Sequence, residues 1–151
     1  MKRTISGLLT FASATILLNA CGSGDKGVPK PVDFVADIKP LLQKRCVTCH
    51  NTATLIGEIN LENSEHAFGK SARGHFIVEG EPEKSLLYTV TLAPHGKREL
   101  PPGIDTPMPD RAPELSDGEK SLLRRWITEG AKWPDGPEGH VKPLDPQPGK
   151  A

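Results

Sequence analysis

Cys46-Val47-Thr48-Cys49-His50 is the stretch on which the reading of this chain turns. Two thiols three residues apart project from one turn of backbone, and an imidazole follows at once. Three chemistries use such a cluster: a thiol–disulfide redox pair, half of a zinc site, and covalent attachment of haem. A thioredoxin-like pair needs a βαβ setting that the surrounding residues do not provide, and a Cys-Cys-His zinc site wants a fourth ligand, typically from a second knuckle. Haem attachment has all its parts. Cys46 and Cys49 can form thioether bonds to the two vinyl groups on one haem edge, and His50 then swings beneath the iron as its proximal ligand.

A sixth ligand decides whether such an iron is closed for electron transfer or open to chemistry. Beyond the initiator, the chain has a single methionine, Met108, within Thr106-Pro107-Met108-Pro109. Flanking prolines keep this segment extended and out of a helical core, which suits a thioether laid across the distal face. His66, His75, His95 and His140 are the rival ligands, with His95 the best placed of them and His140 the least. Arg73, Arg98 and Trp133 are long enough to reach haem propionates but read equally well as surface or packing residues, and are left outside the site.

Outward from the motif, Asp33 can cap a helix whose apolar positions Phe34, Ile38, Leu41 and Leu42 recur at helical spacing towards Cys46. Pro40 either kinks it or lies in the first turn of a shorter helix. Residues 51–80 lack periodicity and carry Gly57, Gly69, Gly74 and Gly80, the pattern of a long loop wrapped around a ligand. Pro82 can start a second helix with Leu86, Leu87 and Val90 on its apolar face and Pro94 at its end, while Glu81 is a poor cap. Pro101, Pro102, Pro107, Pro109 and Pro113 exclude regular helix from the next stretch. Ser116-Asp117-Gly118-Glu119 is a capping box opening a third helix, with Leu122, Leu123, Trp126 and Ile127 buried and Gly130 terminating it.

The ends of the chain read as something other than folded core. Lys2 and Arg3 precede an apolar run, Ile5 to Leu18, with the character of a secretory signal. Leu18-Asn19-Ala20-Cys21 resembles the lipobox of bacterial lipoproteins, in which cleavage precedes the cysteine and acyl chains are attached to it. Residues 1–20 are therefore expected to be a lipoprotein signal peptide and Cys21 a lipid anchor. Gly22 after it, rather than an aspartate, favours the outer membrane of a bacterial envelope, with the protein facing the periplasm. Residues 21–32 form a Gly-, Ser-, Lys- and Pro-containing tether whose extended reach is about 40 Å. Residues 33–133 are the folded domain, and the Pro- and Gly-rich residues 134–151 are expected to be a disordered tail.

Composition bounds the rest. In 151 residues only 5% are aromatic while Gly and Pro number 15 each, so the core is thin for a domain and a large apolar cofactor would supply what it lacks. The 19 basic and 19 acidic residues balance, and loss of Lys2 and Arg3 with the leader tips the balance to the acidic side. Nothing points to a nucleic-acid partner.

With these residues in view, the chain resembles the planctomycete-type cytochrome c domain of the c-type cytochrome superfamily. The resemblance spans about residues 33–133. It runs through Asp33-Phe34 and Ile38 to Leu42, the Cys46 motif, Gly57 to Leu61, Ile77 to Leu87, Met108-Pro109, Leu115-Ser116, Arg125-Trp126-Ile127, Gly130-Ala131 and Trp133-Pro134. It implies an all-α, cytochrome c-like fold of three to four short helices and long loops around one covalently bound haem c, with His50 and Met108 as axial ligands. The family often has Gly-Pro after the haem histidine and a second proline after Met-Pro, where this chain has Asn51-Thr52 and Asp110. Neither place supplies an iron ligand.

The expected role is an electron carrier and not an enzyme, exchanging electrons with redox proteins at or near the membrane and transforming no small-molecule substrate. Two rivals are a gas-binding sensor or haem enzyme with an open distal site, and an electron-relay subunit of a larger oxidoreductase.

Overall fold

The structure, a computed structural model, describes residues 30–92 and 100–144. The signal segment, Cys21, His95, Arg98 and the end of the chain after Leu144 lie outside the described residues.

Asp33 opens the first element by accepting the Ala36 amide at 2.7 Å. Phe34–Ile38 is a wide turn closed by i to i+5 bonds from the amides of Ile38 and Lys39 to the carbonyls of Asp33 and Phe34, and α1 follows at Lys39–Arg45. In a regular turn a proline ring collides with the carbonyl four residues before it. The widened turn instead places Pro40 at the start of a new helix, where its missing N–H costs nothing. Of the two alternatives for Pro40, the shorter helix is the one adopted.

Residues 51–80 are mostly loop, as expected, but hold a 3₁₀ turn at Ile56–Glu58, one helical turn α2 at Ser64–Ala67, and a hairpin of two two-residue strands, β1 Lys70–Ser71 and β2 Gly74–His75, in antiparallel register. The all-α expectation is thus corrected by one minimal hairpin. The expected second helix is also broken in two, a 3₁₀ turn at Pro82–Lys84 and α3 at Leu86–Thr89. The cause is Ser85, fully buried, whose hydroxyl accepts the Val78 amide at 2.8 Å and donates to the Glu81 carbonyl at 3.0 Å while its backbone is extended. A serine satisfied by neighbouring backbone competes with helix continuation.

The longest helix, α4, spans Asp117–Thr128 with its capping box complete: Ser116 Oγ accepts from the Glu119 amide at 3.2 Å and Glu119 returns the bond to the Ser116 amide at 2.8 Å. Leu123, Trp126 and Ile127 are buried, and Gly130 ends the helix at φ +97°. Ser116→Ala should cost about 1 kcal/mol, read as a lower denaturation midpoint with an unchanged slope.

The core lies where the Phe34–Arg45 segment meets α3 and α4. Phe34, Trp126 and Trp133 form its aromatic centre, with ring centroids 4.4 Å apart for Phe34–Trp133 and 6.0 Å for each of the other two pairs. The expectation of a disordered tail from residue 134 is overturned for residues 134–144. Gly136–Gly139 forms a helical turn, α5, and Val141 is fully buried in the core with its amide on the Glu62 carbonyl at 2.8 Å. Trp133 Nε1 donates to the Gly139 carbonyl at 2.7 Å, and a side chain on Gly139 would collide with the Pro134 carbonyl. The described residues are helix-rich with long loops, compatible with a cytochrome c-like fold.

Candidate haem site

The end of α1 runs directly into the Cys46 motif. Amides of Cys46 and Val47 both return to the Leu42 carbonyl, and those of Cys49 and His50 both return to the Cys46 carbonyl at 3.1 Å. One turn therefore gathers both thiols and the imidazole, with Val47 fully buried as its root. Cys46 is partly buried against the core, Cys49 is exposed, and both are free thiols. Burial pushes the Cys46 thiol up to about 12, with the Arg45 charge pulling the other way. A thiolate nucleophile or zinc ligand wants the opposite shift, whereas a neutral thioether sulfur carries no charge to desolvate. Among the described residues no group of three or more His, Cys, Asp or Glu side chains could hold a metal ion.

His50 is the one buried histidine of the described residues; His66 and His75 are exposed and His140 half-buried. Its Nδ1 lies 2.9 Å from the Ile56 carbonyl, so that nitrogen donates and Nε2 is the nitrogen with a lone pair to offer. Burial lowers the His50 pKa, partly offset by the carbonyls of Ile56 and Ile59, and keeps the ring in the neutral form that binds metals.

The loop that orients His50 leaves apolar surface uncovered. Leu55 and Ile56 are 49% and 47% exposed, two of the four large exposed apolar side chains among the described residues. Leu55 holds a left-handed backbone at φ +44°, a strained setting for a branched residue that its surroundings must impose. A haem whose iron meets His50 would find this apolar shelf beside it. The two thiols, the imidazole with its Nδ1 occupied, and the apolar shelf fit covalently bound haem.

Asn51 imposes that loop geometry. It is 6% exposed, its Nδ2 donates to the carbonyls of Val47 at 2.7 Å and Thr48 at 3.0 Å, and its Oδ1 accepts from the amides of Ala53 and Thr54 at 2.9 and 3.0 Å. One amide side chain thus ties the motif to the loop that carries Ile56. The next residue continues the brace: Thr52 donates through its amide at 2.9 Å and through its hydroxyl to the Glu62 carboxylate, holding Glu62 below the usual carboxylate range. Asn51 entered the sequence reading only as a departure from Gly-Pro; an asparagine abutting the motif was the available signal.

Met108 lies apart from this turn in the chain's bonding. It is half-buried, its amide donates to the Val90 carbonyl at 3.0 Å just after α3, and its bond to Pro109 is cis. Trp133 is a core residue, and Arg73 bridges two loops, Nε to the Gly103 carbonyl at 2.8 Å and Nη1 to that of Gly57 at 3.4 Å. A groove of about 870 Å³ is lined by polar side chains such as Gln43, Glu65 and His140 and by none of the motif residues. Its chemistry does not match that of the Cys46 turn.

No curated protein and no solved structure matches the chain. The family model of planctomycete cytochrome C matches residues 46–103, a span that contains Cys46, Cys49 and His50 and stops short of Met108; over that span the chain is similar to this family.

Proposed function

We propose that this protein is a mono-haem c-type cytochrome that carries electrons at a membrane, with His50 and Met108 as axial ligands and Cys21 as its lipid anchor. The observation that carries the reading is His50, buried at the end of the Cys-x-x-Cys turn with Nδ1 committed to the Ile56 carbonyl. When bound, haem supplies a one-electron Fe(III)/Fe(II) couple. Cys46 and Cys49 hold it covalently. His50 presents Nε2, with the Ile56 carbonyl fixing the ring plane and raising its basicity. Leu55 and Ile56 would offer the haem apolar surface. Met108 supplies a soft thioether, which favours the reduced state relative to a second imidazole. No step transforms a small molecule.

No described helix is long and apolar enough to cross a membrane, and the anchoring proposed here is by acyl chains on Cys21. The tether of about 40 Å then confines the domain to redox partners near that surface, in a bacterial periplasm.

Absorption spectra of the purified protein in both redox states test the reading. The ferric protein should show the weak sulfur-to-iron band, and the ferrous protein should resist carbon monoxide. Met108→Ala should abolish the band and lower the reduction potential. A ferric form without that band whose ferrous form takes up carbon monoxide readily would replace the carrier by a haem protein with an open distal site.

A further inference from the structure

We propose that Arg45 and Arg73 are positioning residues for Met108, each tying one end of the Met108 segment to the His50 side of the molecule. The inference rests on the axial role given to Met108 above.

Among the described residues, 100–115 have little backbone bonding of their own. Their prolines at 101, 102, 107, 109 and 113 donate no hydrogen bonds, and neither helix nor strand occurs before α4. Among the described residues, the backbone-to-backbone bonds donated within this stretch are those of Ile104 to Pro101 and of Met108 to Val90, both at 3.0 Å. What its carbonyls accept therefore helps to fix its position, beside the Lys120–Glu114 ion pair at 3.7 Å and the burial of Leu115. On one side of Met108, the Gly103 carbonyl accepts from Arg73 Nε at 2.8 Å. On the other, the carbonyls of Pro113 and Glu114 accept from Arg45 Nη2 at 2.5 and 2.8 Å, just before Leu115 enters the core.

Both arginines start from the proximal side. Arg45 immediately precedes Cys46, and its side chain is only 11% exposed, with Nε 3.7 Å from Glu119 Oε1. Arg73 also holds the carbonyl of Gly57, next to Ile56, whose own carbonyl orients His50. Gly103 has φ +76°, a left-handed backbone that glycine adopts without strain, so glycine suits the turn whose carbonyl Arg73 holds. A planar guanidinium spans two carbonyls in fixed geometry, which the single ammonium of lysine cannot reproduce.

Imidazole titration of the ferric holoprotein reads this directly. Added imidazole competes with Met108, so its apparent affinity reports how often the thioether is off the iron. Loosening the segment in Arg73→Met should tighten imidazole binding about threefold or more, with Arg73→Lys in between. The guanidinium denaturation midpoint should move little, since Arg73 is exposed. Arg45→Met should tighten binding further, and Arg45→Lys, which keeps the pairing with Glu119, is the substitute if that variant does not fold. Met108→Ala should bind imidazole far more tightly than the unaltered protein. If it does so while the arginine variants titrate like the unaltered protein, the positioning role is overturned and the axial assignment stands. If Met108→Ala itself titrates like the unaltered protein, the axial assignment fails and the proposal with it.

Discussion

Asn51→Ala is expected to destabilise the domain by about 3 kcal/mol and to leave His50 loosely oriented. The side chain satisfies two carbonyls on the motif turn and two amides on the loop that follows, at a site almost closed to water. Removing it leaves four backbone groups to find other partners, and each group that stays buried and unpaired costs about 1–3 kcal/mol. Water will reach some of them, because Thr52 to Ile56 are exposed on the outer side of the loop. The measurable consequence is a lower guanidinium midpoint with little change in slope. A second readout follows from the His50 Nδ1 bond to Ile56: once the loop loosens, the ring loses its fixed tautomer and plane, and the iron–histidine bond should weaken. Asn51→Asp is the sharper variant. It keeps the acceptor for Ala53 and Thr54 but faces the Val47 and Thr48 carbonyls with a carboxylate, so it should be at least as damaging near neutral pH. An Asn51→Ala protein as stable as the unaltered one would show that the loop is held from elsewhere.

Ending the chain after Trp133 should cost about 3–5 kcal/mol. Val141 is fully buried, and its burial accounts for about 1.5–3 kcal/mol. The bonds from Val141 to Glu62 and from Trp133 Nε1 to Gly139 add about 1 kcal/mol each. Two further bonds, from Lys39 Nζ to the Glu138 carbonyl and from Gln43 Nε2 to the Lys142 carbonyl, are exposed and contribute little. The truncation also uncovers one side of Trp133, which stacks on Phe34, so tryptophan fluorescence should shift along with the denaturation midpoint. A truncated protein of full stability would restore the tail reading that composition suggests.

That reading failed for an identifiable reason. Residues 134–151 are rich in proline and glycine, and composition argues against a helix or strand of useful length there. It says nothing about one valine. Val141 is buried in the same core cluster as Phe34 and Trp126, and no local pattern announces that a single side chain will join it. Helix α4 is the opposite case. Its cap, apolar face and terminating glycine all act within one stretch of chain, and the structure reproduces each of them. The second helix falls between: its apolar spacing was legible, but the break at Ser85 depends on a bond to Val78 seven residues back.

The site divides along the same line. Cys46, Cys49 and His50 are adjacent in sequence, and thiol spacing with a following imidazole carries its chemistry without knowledge of the fold. The sequence by itself therefore determined the Cys-x-x-Cys-His motif, the cap of α4 and the proline-bound character of the Met108 segment. Only the tertiary structure decided which nitrogen of His50 meets the Ile56 carbonyl, that Asn51 braces the loop, and that Arg45 and Arg73 reach the Met108 segment. Those last contacts join residues separated by 30 to 69 positions, and hydrogen bonds across such distances exist only once the chain has folded.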